Sequence, residues 1–281
     1  MDWRTLSPEI LEQQFNPRIA VPDFAEKIAH MQGLSAAARG RLGGRYDIRY
    51  GDGPLETLDV FPSDPPGGPL HIFIHGGYWR ALDKDDYSAI AEPMVAAGAT
   101  AVALNYDLCP DVSLDDIVGQ IRRAIAYVAR NAADLGGDAD RLYISGHSAG
   151  AHLCALALAH DWTSEGLPAD LIKGAALVTG IYDPEPARHI SLNSEFRLTP
   201  EIAERNNAFS HLPRGGASIL VAVGGDETES WIAQSADFHR AVGGDAELMV
   251  VPGCDHFGVT AELVDAGKPL CQAVLAQMGL S

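Results

Sequence analysis

Segments of two kinds alternate along most of this chain: short β-type runs and longer stretches with helical spacing of apolar residues. The predicted strands are Leu70–Ile74, Thr100–Asn105, Leu142–Ser145, Ile172–Val178, Ser218–Val223 and Glu247–Val251. The predicted helices are Lys84–Ala97, Leu114–Asn131, Ala149–His160, Pro200–Arg205, Trp231–Val242 and a last helix from Thr260. Such strand–helix units predict a mostly parallel sheet with helices on both faces, in which sites form at the carboxyl ends of strands.

The N-terminal part follows a different pattern. Ser7-Pro8-Glu9 predicts a helix start, because Ser caps well and Pro fits the first turn. Apolar spacing in Pro22–Ala38 predicts a second helix. The strands of an antiparallel hairpin are predicted at Tyr46–Tyr50 and Thr57–Phe61. We expect residues 1–281 to form one α/β domain, with residues 1–40 as a helical arm or partial cap within it.

The charge balance limits the partners that this chain could bind. It has 20 Lys and Arg against 38 Asp and Glu, a net charge of −18, which repels nucleic acid and anionic membranes. The 4 cysteines show no zinc or redox spacing, and the start MDWRTLSPEI has no signal-peptide pattern. We expect a soluble cytoplasmic protein with a small-molecule substrate; the sequence leaves a homodimer open.

The residues Gly146–Gly150 read Gly-His-Ser-Ala-Gly and fit the pattern G-x-S-x-G between a predicted strand and an Ala-rich helix. A sharp strand-to-helix turn projects the serine hydroxyl from a strained backbone, and the glycines relieve the crowding. Ser148 is therefore the predicted nucleophile, and the amide of Ala149 is a predicted donor to a developing oxyanion. The alternative is a surface turn with a capping serine.

Two further loops directly follow predicted strands. Gly76 and Gly77 come after Leu70–Ile74, where the second half of an oxyanion hole would lie. The alternative there is a glycine-rich turn that binds nothing. His256 follows Glu247–Val251, within reach of a serine on the same sheet edge, and is the predicted general base.

The residues by themselves do not decide which acid would orient this base. Asp226 is favoured by residue type alone, whereas Asp183 is an alternative in another loop. Any of the other carboxylates in the loop 224–229 could instead be a solvated loop residue or a cap of the helix at Ser230. A serine, then an acid, then a histidine is the chain order of α/β-hydrolases and not that of trypsin-like or subtilisin-like proteases.

Several motifs together resemble the kynurenine formamidase (arylformamidase) branch of the esterase/lipase superfamily. The two main ones are His-Gly-Gly-Tyr-Trp at 75–79 and Gly-His-Ser-Ala-Gly-Ala-His-Leu at 146–153. Further similar segments are 14–18, 21–24, 105–110 and 179–183, so the resemblance covers nearly the whole chain. Related short-chain esterases share most of these motifs.

This resemblance implies an α/β-hydrolase fold whose triad acid is the second residue after a Gly-Gly pair. That residue is Glu227 here, which is thereby favoured over Asp226. The oxyanion donors implied by the resemblance are the amides of Gly76, Gly77 or Tyr78, and Ala149. The implied reaction converts N-formyl-L-kynurenine to kynurenine and formate through a formyl-serine, with no metal and no organic cofactor. The alternative is a carboxylesterase that uses the same triad on short-chain acyl esters.

An aryl leaving group would suit a pocket with aromatic walls. The candidates near predicted strand ends, each of which could instead be plain core, are Tyr78, Trp79, Tyr182, Trp231 and Phe257. Arg80 or Arg188 could meet a substrate carboxylate. A non-catalytic binding protein is disfavoured because the serine and the histidine are both present, and phosphate-loop motifs are absent.

Overall fold

The structure is a computed structural model that describes residues 2–213 and 215–280. Its strands are β1 (Arg45–Arg49), β2 (Thr57–Phe61), β3 (Gly68–Ile74), β4 (Thr100–Leu104), β5 (Gly137–His147), β6 (Ile172–Val178), β7 (Ser218–Gly224) and β8 (Glu247–Val251). Its α-helices are α1 (Pro8–Phe15), α2 (Pro17–Ala20), α3 (Phe24–Leu42), α4 (Ala91–Ala96), α5 (Leu114–Arg130), α6 (Ala132–Leu135), α7 (Ala149–Leu158), α8 (Asn193–Phe196), α9 (Pro200–Arg205), α10 (Glu229–Val242) and α11 (Pro269–Gln277). Short 3₁₀ helices cover Trp3–Thr5, Lys84–Ile90, Trp162–Glu165, Glu185–His189, Ala208–Ser210 and Gly258–Leu263.

All eight strands join one sheet in the order β1-β2-β4-β3-β5-β6-β7-β8. β1 and β2 form an antiparallel hairpin, and β2 also runs antiparallel to β4. Every other neighbouring pair is parallel. This confirms the predicted α/β-hydrolase fold, with a mostly parallel sheet that opens on an antiparallel hairpin.

Alternate residues of the central strands supply two separate cores. Leu70, Ile72 and Ile74 of β3 pack on one face with residues of α5 and α7. Phe73 of the same strand joins the opposite core, to which α3, α4 and α11 contribute. This division follows from the period of two in a β-strand, and it places helices on both faces.

Parallel pairing brings the candidate loops together at one sheet edge. Ile74, the last residue of β3, pairs with Gly146 of β5, so the Gly76-Gly77 loop lies beside the turn that carries Ser148. Gly224 at the end of β7 likewise pairs with Val251 at the end of β8. The loops that carry Glu227 and His256 therefore start side by side.

Two predicted helices differ in the structure. The segment predicted as one helix, Lys84–Ala97, is a 3₁₀ helix followed by α4, and Pro93 explains the break, because it has no N–H to donate to the carbonyl four residues earlier. The helix predicted from Thr260 is a 3₁₀ turn, and α11 starts only at Pro269, a residue suited to a first helical turn.

Two further properties bear on the sequence expectations. Cys109, Cys154, Cys254 and Cys271 are all free thiols. Of the helices that the structure describes, none combines the length and the apolar character needed to cross a membrane.

Candidate active site

Ser148 lies on a strained turn between β5 and α7. Its φ and ψ are 56° and −117°, outside the regions that non-glycine residues favour. Its amide donates to the carbonyl of Val178 at 2.8 Å, which holds the turn against β6. A Cβ on Gly146 would lie 2.4 Å from the backbone of Gly150, and a Cβ on Gly150 would lie 2.0 Å from the carbonyl oxygen of Ile74. Both glycines are therefore required by close backbone packing, as the motif predicts.

Three buried side chains form a hydrogen-bonded chain. The Ser148 hydroxyl lies 3.0 Å from Nε2 of His256, and Nδ1 of His256 lies 2.7 Å from Oε2 of Glu227. A carboxylate can only accept, so Nδ1 carries the proton and Nε2 is left to accept from the serine. The other Glu227 oxygen accepts from the amide of Gly224 at 3.1 Å. The side chains of His256 and Glu227 are 4% and 1% exposed.

The other two carboxylates considered from the sequence lie elsewhere. Asp226 is exposed, and its amide donates to the carbonyl of Cys254 at 3.0 Å. Asp183 accepts from the amide of Glu185 and from the side chain of Asn207. Within the described ranges neither carboxylate contacts His256, so the geometry brings Glu227 to the histidine.

The Gly76-Gly77 loop lies beside the serine in an unusual conformation: a Cβ on Gly76 would lie 3.2 Å from Cβ of Ser148. Gly77 has φ +105°, and a Cβ there would lie 2.0 Å from the carbonyl oxygen of Ala81. Tyr78 follows with φ 53°. In the part of the chain that the structure describes, the amides of Gly77, Tyr78 and Ala149 donate no hydrogen bond to a protein group. These amides therefore have no partner among the described residues.

The side chain of His75, at the start of this loop, is buried. Its ring stacks on Tyr106 with centroids 4.3 Å apart, and its Nε2 lies 3.0 Å from Oδ1 of Asn105. Burial lowers the pKa of His75, which keeps the imidazole neutral at physiological pH. These contacts hold the start of the Gly76-Gly77 loop in place.

His147, the residue before the serine, contacts the loop of His256 directly. Its Nε2 lies 2.7 Å from the backbone carbonyl oxygen of His256, so it donates there. Burial, together with the nearby His256 ring, lowers the pKa of His147 to about 3. This contact could not be predicted from the sequence, because a hydrogen bond to a distant backbone carbonyl leaves no residue pattern.

A narrow pocket with a cavity volume of about 30 Å³ opens in front of Ser148 and His256. Of the aromatic residues predicted to contact substrate, Tyr78 and Phe257 line it. The lining residues that were not predicted to contact substrate are Pro17, Arg18, Ile28, Leu82, Tyr87, His147 and Leu192. Arg80 also lines the pocket, whereas Arg188 pairs with Glu185 away from it.

The remaining aromatic candidates are core residues. Trp231 packs on the His256 ring with centroids 4.4 Å apart. Tyr182 stacks on Phe238 at 4.0 Å, and Trp79 is completely buried. None of the three lines the pocket, because each ring is covered by neighbouring helices and loops.

The N-terminal segment, which comprises α1, α2 and the start of α3, forms one wall of this pocket and contacts the loops around it. Lys27 of α3 forms an ion pair with Asp255 at 2.8 Å, next to His256. The Tyr78 hydroxyl donates to the carbonyl of Phe15 at 2.5 Å. The hydroxyl of Thr228, beside Glu227, donates to the carbonyl of Gln14 at 2.8 Å. Contacts with the loops that carry Glu227 and His256 therefore hold this segment over the sheet edge.

The donor groups in the structure do not form a metal centre. Among residues 2–213 and 215–280, no group of three or more His, Cys, Asp or Glu side chains is arranged to hold a metal ion.

Comparison with known proteins identifies the family. A family model described as BD-FAE matches residues 59–177. Kynurenine formamidase of Salmo salar is 34% identical over 298 residues, which cover 99% of each chain. That of Danio rerio is 35% identical over 298 residues, covering 100% of this chain and 99% of the relative. A solved structure from Silicibacter sp. TM1040, provisionally described as a thioesterase, has a TM-score of 0.83 and 26% identity over 94% of this chain and 98% of that one. This chain is a hydrolase and belongs to the kynurenine formamidase family of α/β-hydrolases.

Proposed function

We propose that this protein hydrolyses N-formyl-L-kynurenine to kynurenine and formate. The observation that carries the proposal is full-length similarity to kynurenine formamidases in a chain whose Ser148, His256 and Glu227 are hydrogen-bonded beside an open pocket.

In the first half-reaction, His256 removes the hydroxyl proton of Ser148 while Oγ attacks the formyl carbon. Glu227 stabilises the imidazolium that forms and keeps Nδ1 protonated. The amides of Gly77 or Tyr78, and Ala149, would hold the oxyanion, and each such donor contributes about 10²–10³ in rate. His256 then gives its proton to the aryl nitrogen, the C–N bond breaks, and kynurenine leaves.

In the second half-reaction, water enters the place of the leaving group. His256 removes a proton from this water, and the hydroxide attacks the carbonyl of the formyl-serine. Collapse of the second tetrahedral intermediate returns the proton to Ser148 Oγ and releases formic acid, which ionises to formate in solution. Neither half-reaction requires a cofactor, since the proton moves between two protein groups and the substrate.

Short-chain acyl esters are the second candidate substrates, because the same arrangement cleaves an ester without change. A direct test measures kcat/KM for N-formyl-L-kynurenine and p-nitrophenyl acetate on the same preparation, with Ser148→Ala as the inactive variant. We expect the formamide to be much the better substrate and both activities to fall by about 10⁴-fold or more in the variant. Ester turnover without formamide turnover would contradict the proposed substrate. Unchanged activity in Ser148→Ala would contradict the mechanism.

A further inference from the structure

Two arginines lie on the wall of the pocket that opens at Ser148. Arg80 comes from the loop after β3, and Arg18 comes from α2 of the N-terminal segment. No carboxylate side chain lines this pocket among the described residues. A chain with a net charge of −18 therefore presents two cationic groups next to its candidate nucleophile.

Arg80 is buried, and not all of its hydrogen-bond donors have a partner among the described residues. Its side chain is only 8% exposed, and one nitrogen donates to Glu195 Oε2 at 2.6 Å. Its Nε is buried and has no hydrogen-bond partner among the described residues. Burial lowers the pKa of Arg80, and the positive charge of Arg18 lowers it further, so the two guanidinium groups repel each other.

Arg80 has an ion-pair partner, but Arg18 has none among the described residues. Its guanidinium lies 5.4 Å from the centre of the Phe24 ring, and no acidic side chain pairs with it in the described ranges. The pair thus has two positive charges against one partly exposed carboxylate, that of Glu195. An incoming carboxylate would supply the missing charge and could accept from donors that are now unpaired.

We propose that Arg18 and Arg80 together bind the α-carboxylate of the substrate, so that this pocket selects aryl formamides that carry a carboxylate over neutral ones. The proposal rests on the proposed formamidase function and names the substrate group that its pocket recognises. The N-terminal segment then takes part in substrate selection, because it supplies one of the two cations.

The test compares two substrates that differ only in charge at this group: N-formyl-L-kynurenine and its α-carboxamide, which keeps the ammonium and the aryl formamide. In Arg18→Met we expect kcat/KM for the carboxylate substrate to fall about 10- to 100-fold, mainly through KM, since a hydrogen bond to a charged group is lost. The kcat/KM for the carboxamide should change by less than about threefold. Equal losses on both substrates, or no loss on either, would overturn the proposal.

Arg41→Met is the matched control, because Arg41 lies on α3 and is 58% exposed outside the pocket. It removes the same charge and should change kcat/KM by no more than about twofold for either substrate. Since Arg80 is buried, Arg80→Lys accompanies Arg80→Met; it keeps the charge, and we expect a smaller selective loss.

Aryl esters separate a failure of this inference from a failure of the proposed function. If neither formamide is cleaved but esters are, the proposed function is wrong. Phenyl acetate and 3-acetoxybenzoate then make the same comparison, because only 3-acetoxybenzoate carries a carboxylate on its leaving group. A loss in Arg18→Met confined to 3-acetoxybenzoate supports carboxylate recognition by the pair, and equal changes on both esters contradict it.

Discussion

Nε2 of His147 donates a hydrogen bond to the backbone carbonyl oxygen of His256 at 2.7 Å. The residue before the candidate nucleophile thus holds the loop of the candidate base, and the two side chains lie with ring centroids 5.0 Å apart. The position of His256 relative to Ser148 therefore depends on a hydrogen bond from His147 to the His256 backbone, outside the hydrogen bond between Ser148 and the His256 ring.

Replacing His147 tests this positioning role. His147→Phe keeps a planar ring but cannot donate, and it leaves a buried carbonyl unpaired. We expect kcat for p-nitrophenyl acetate to fall about tenfold with little change in KM, because binding is retained and only the base is displaced. His147→Gln, which can still donate, should recover part of kcat. A loss seen only in KM would contradict the role.

Glu227 and Asp226 differ by one position and provide a matched pair. Glu227→Gln keeps the size of the side chain but removes the charge that stabilises the His256 imidazolium, so kcat should fall about 10²–10⁴-fold. Asp226→Asn changes an exposed carboxylate and should stay within about twofold. Steady-state kinetics of both variants on one substrate decide the assignment, and a larger loss in Asp226→Asn would reverse it.

Tyr78→Phe removes the hydroxyl that donates to Phe15 and so loosens the N-terminal segment at the pocket. A lost buried hydrogen bond costs about 1–3 kcal/mol locally. We expect faster amide hydrogen exchange in α1 and α2, together with a rise in KM of several fold. Tyr143→Phe is the control, since the Tyr143 hydroxyl makes no hydrogen bond in the described part of the chain. Unchanged exchange in Tyr78→Phe would show that other contacts hold the segment.

Three buried histidines predict how stability depends on pH. Burial lowers the pKa of His71 and His152 to about 4, and burial with the His256 ring lowers that of His147 to about 3. In the unfolded chain each titrates near 6.5, so between pH 7 and 5 only the unfolded state gains these protons. Stability is therefore full above pH 6.5 and falls as the solution is acidified.

Urea unfolding at pH 7, 6 and 5 measures this effect. The free energy of unfolding should fall by up to about 1.4 kcal/mol per pH unit for each histidine once the pH is below 6.5. His71→Gln should reduce the slope by about one histidine's share. An identical unfolding midpoint at pH 7 and 5 would contradict the prediction.

Two glycines give opposite expectations for the same substitution. Gly150→Ala would bring a methyl group 2.0 Å from the carbonyl oxygen of Ile74, so we expect destabilisation of about 3 kcal/mol or more. Gly33→Ala, in the exposed middle of α3 with open space around it, should stabilise by about 0.5–1 kcal/mol. Thermal unfolding of both variants checks the pair. A stable, active Gly150→Ala would show that the turn can relax.

Much of the fold could be predicted because its signals are local. The strands Thr57–Phe61, Ile172–Val178 and Glu247–Val251 have the predicted bounds, since turn residues flank each short β-type run. β5 is longer than predicted because Gly137 pairs with Gly68 in a neighbouring strand, a contact between residues far apart in the chain. The sequence pattern of β5 alone does not contain that partner.

The sequence by itself determined the strand-to-helix turn at Ser148, because the glycines that permit it lie within two residues of the serine. The tertiary structure decided which carboxylate reaches His256, since the turn after β7 is bonded to the turn after β8 and exposes Asp226 while burying Glu227. It also decided that Arg18 joins Arg80, because the N-terminal segment returns over the sheet edge. Local backbone preferences act between near neighbours in sequence, whereas side-chain neighbours across loops depend on how separate elements pack.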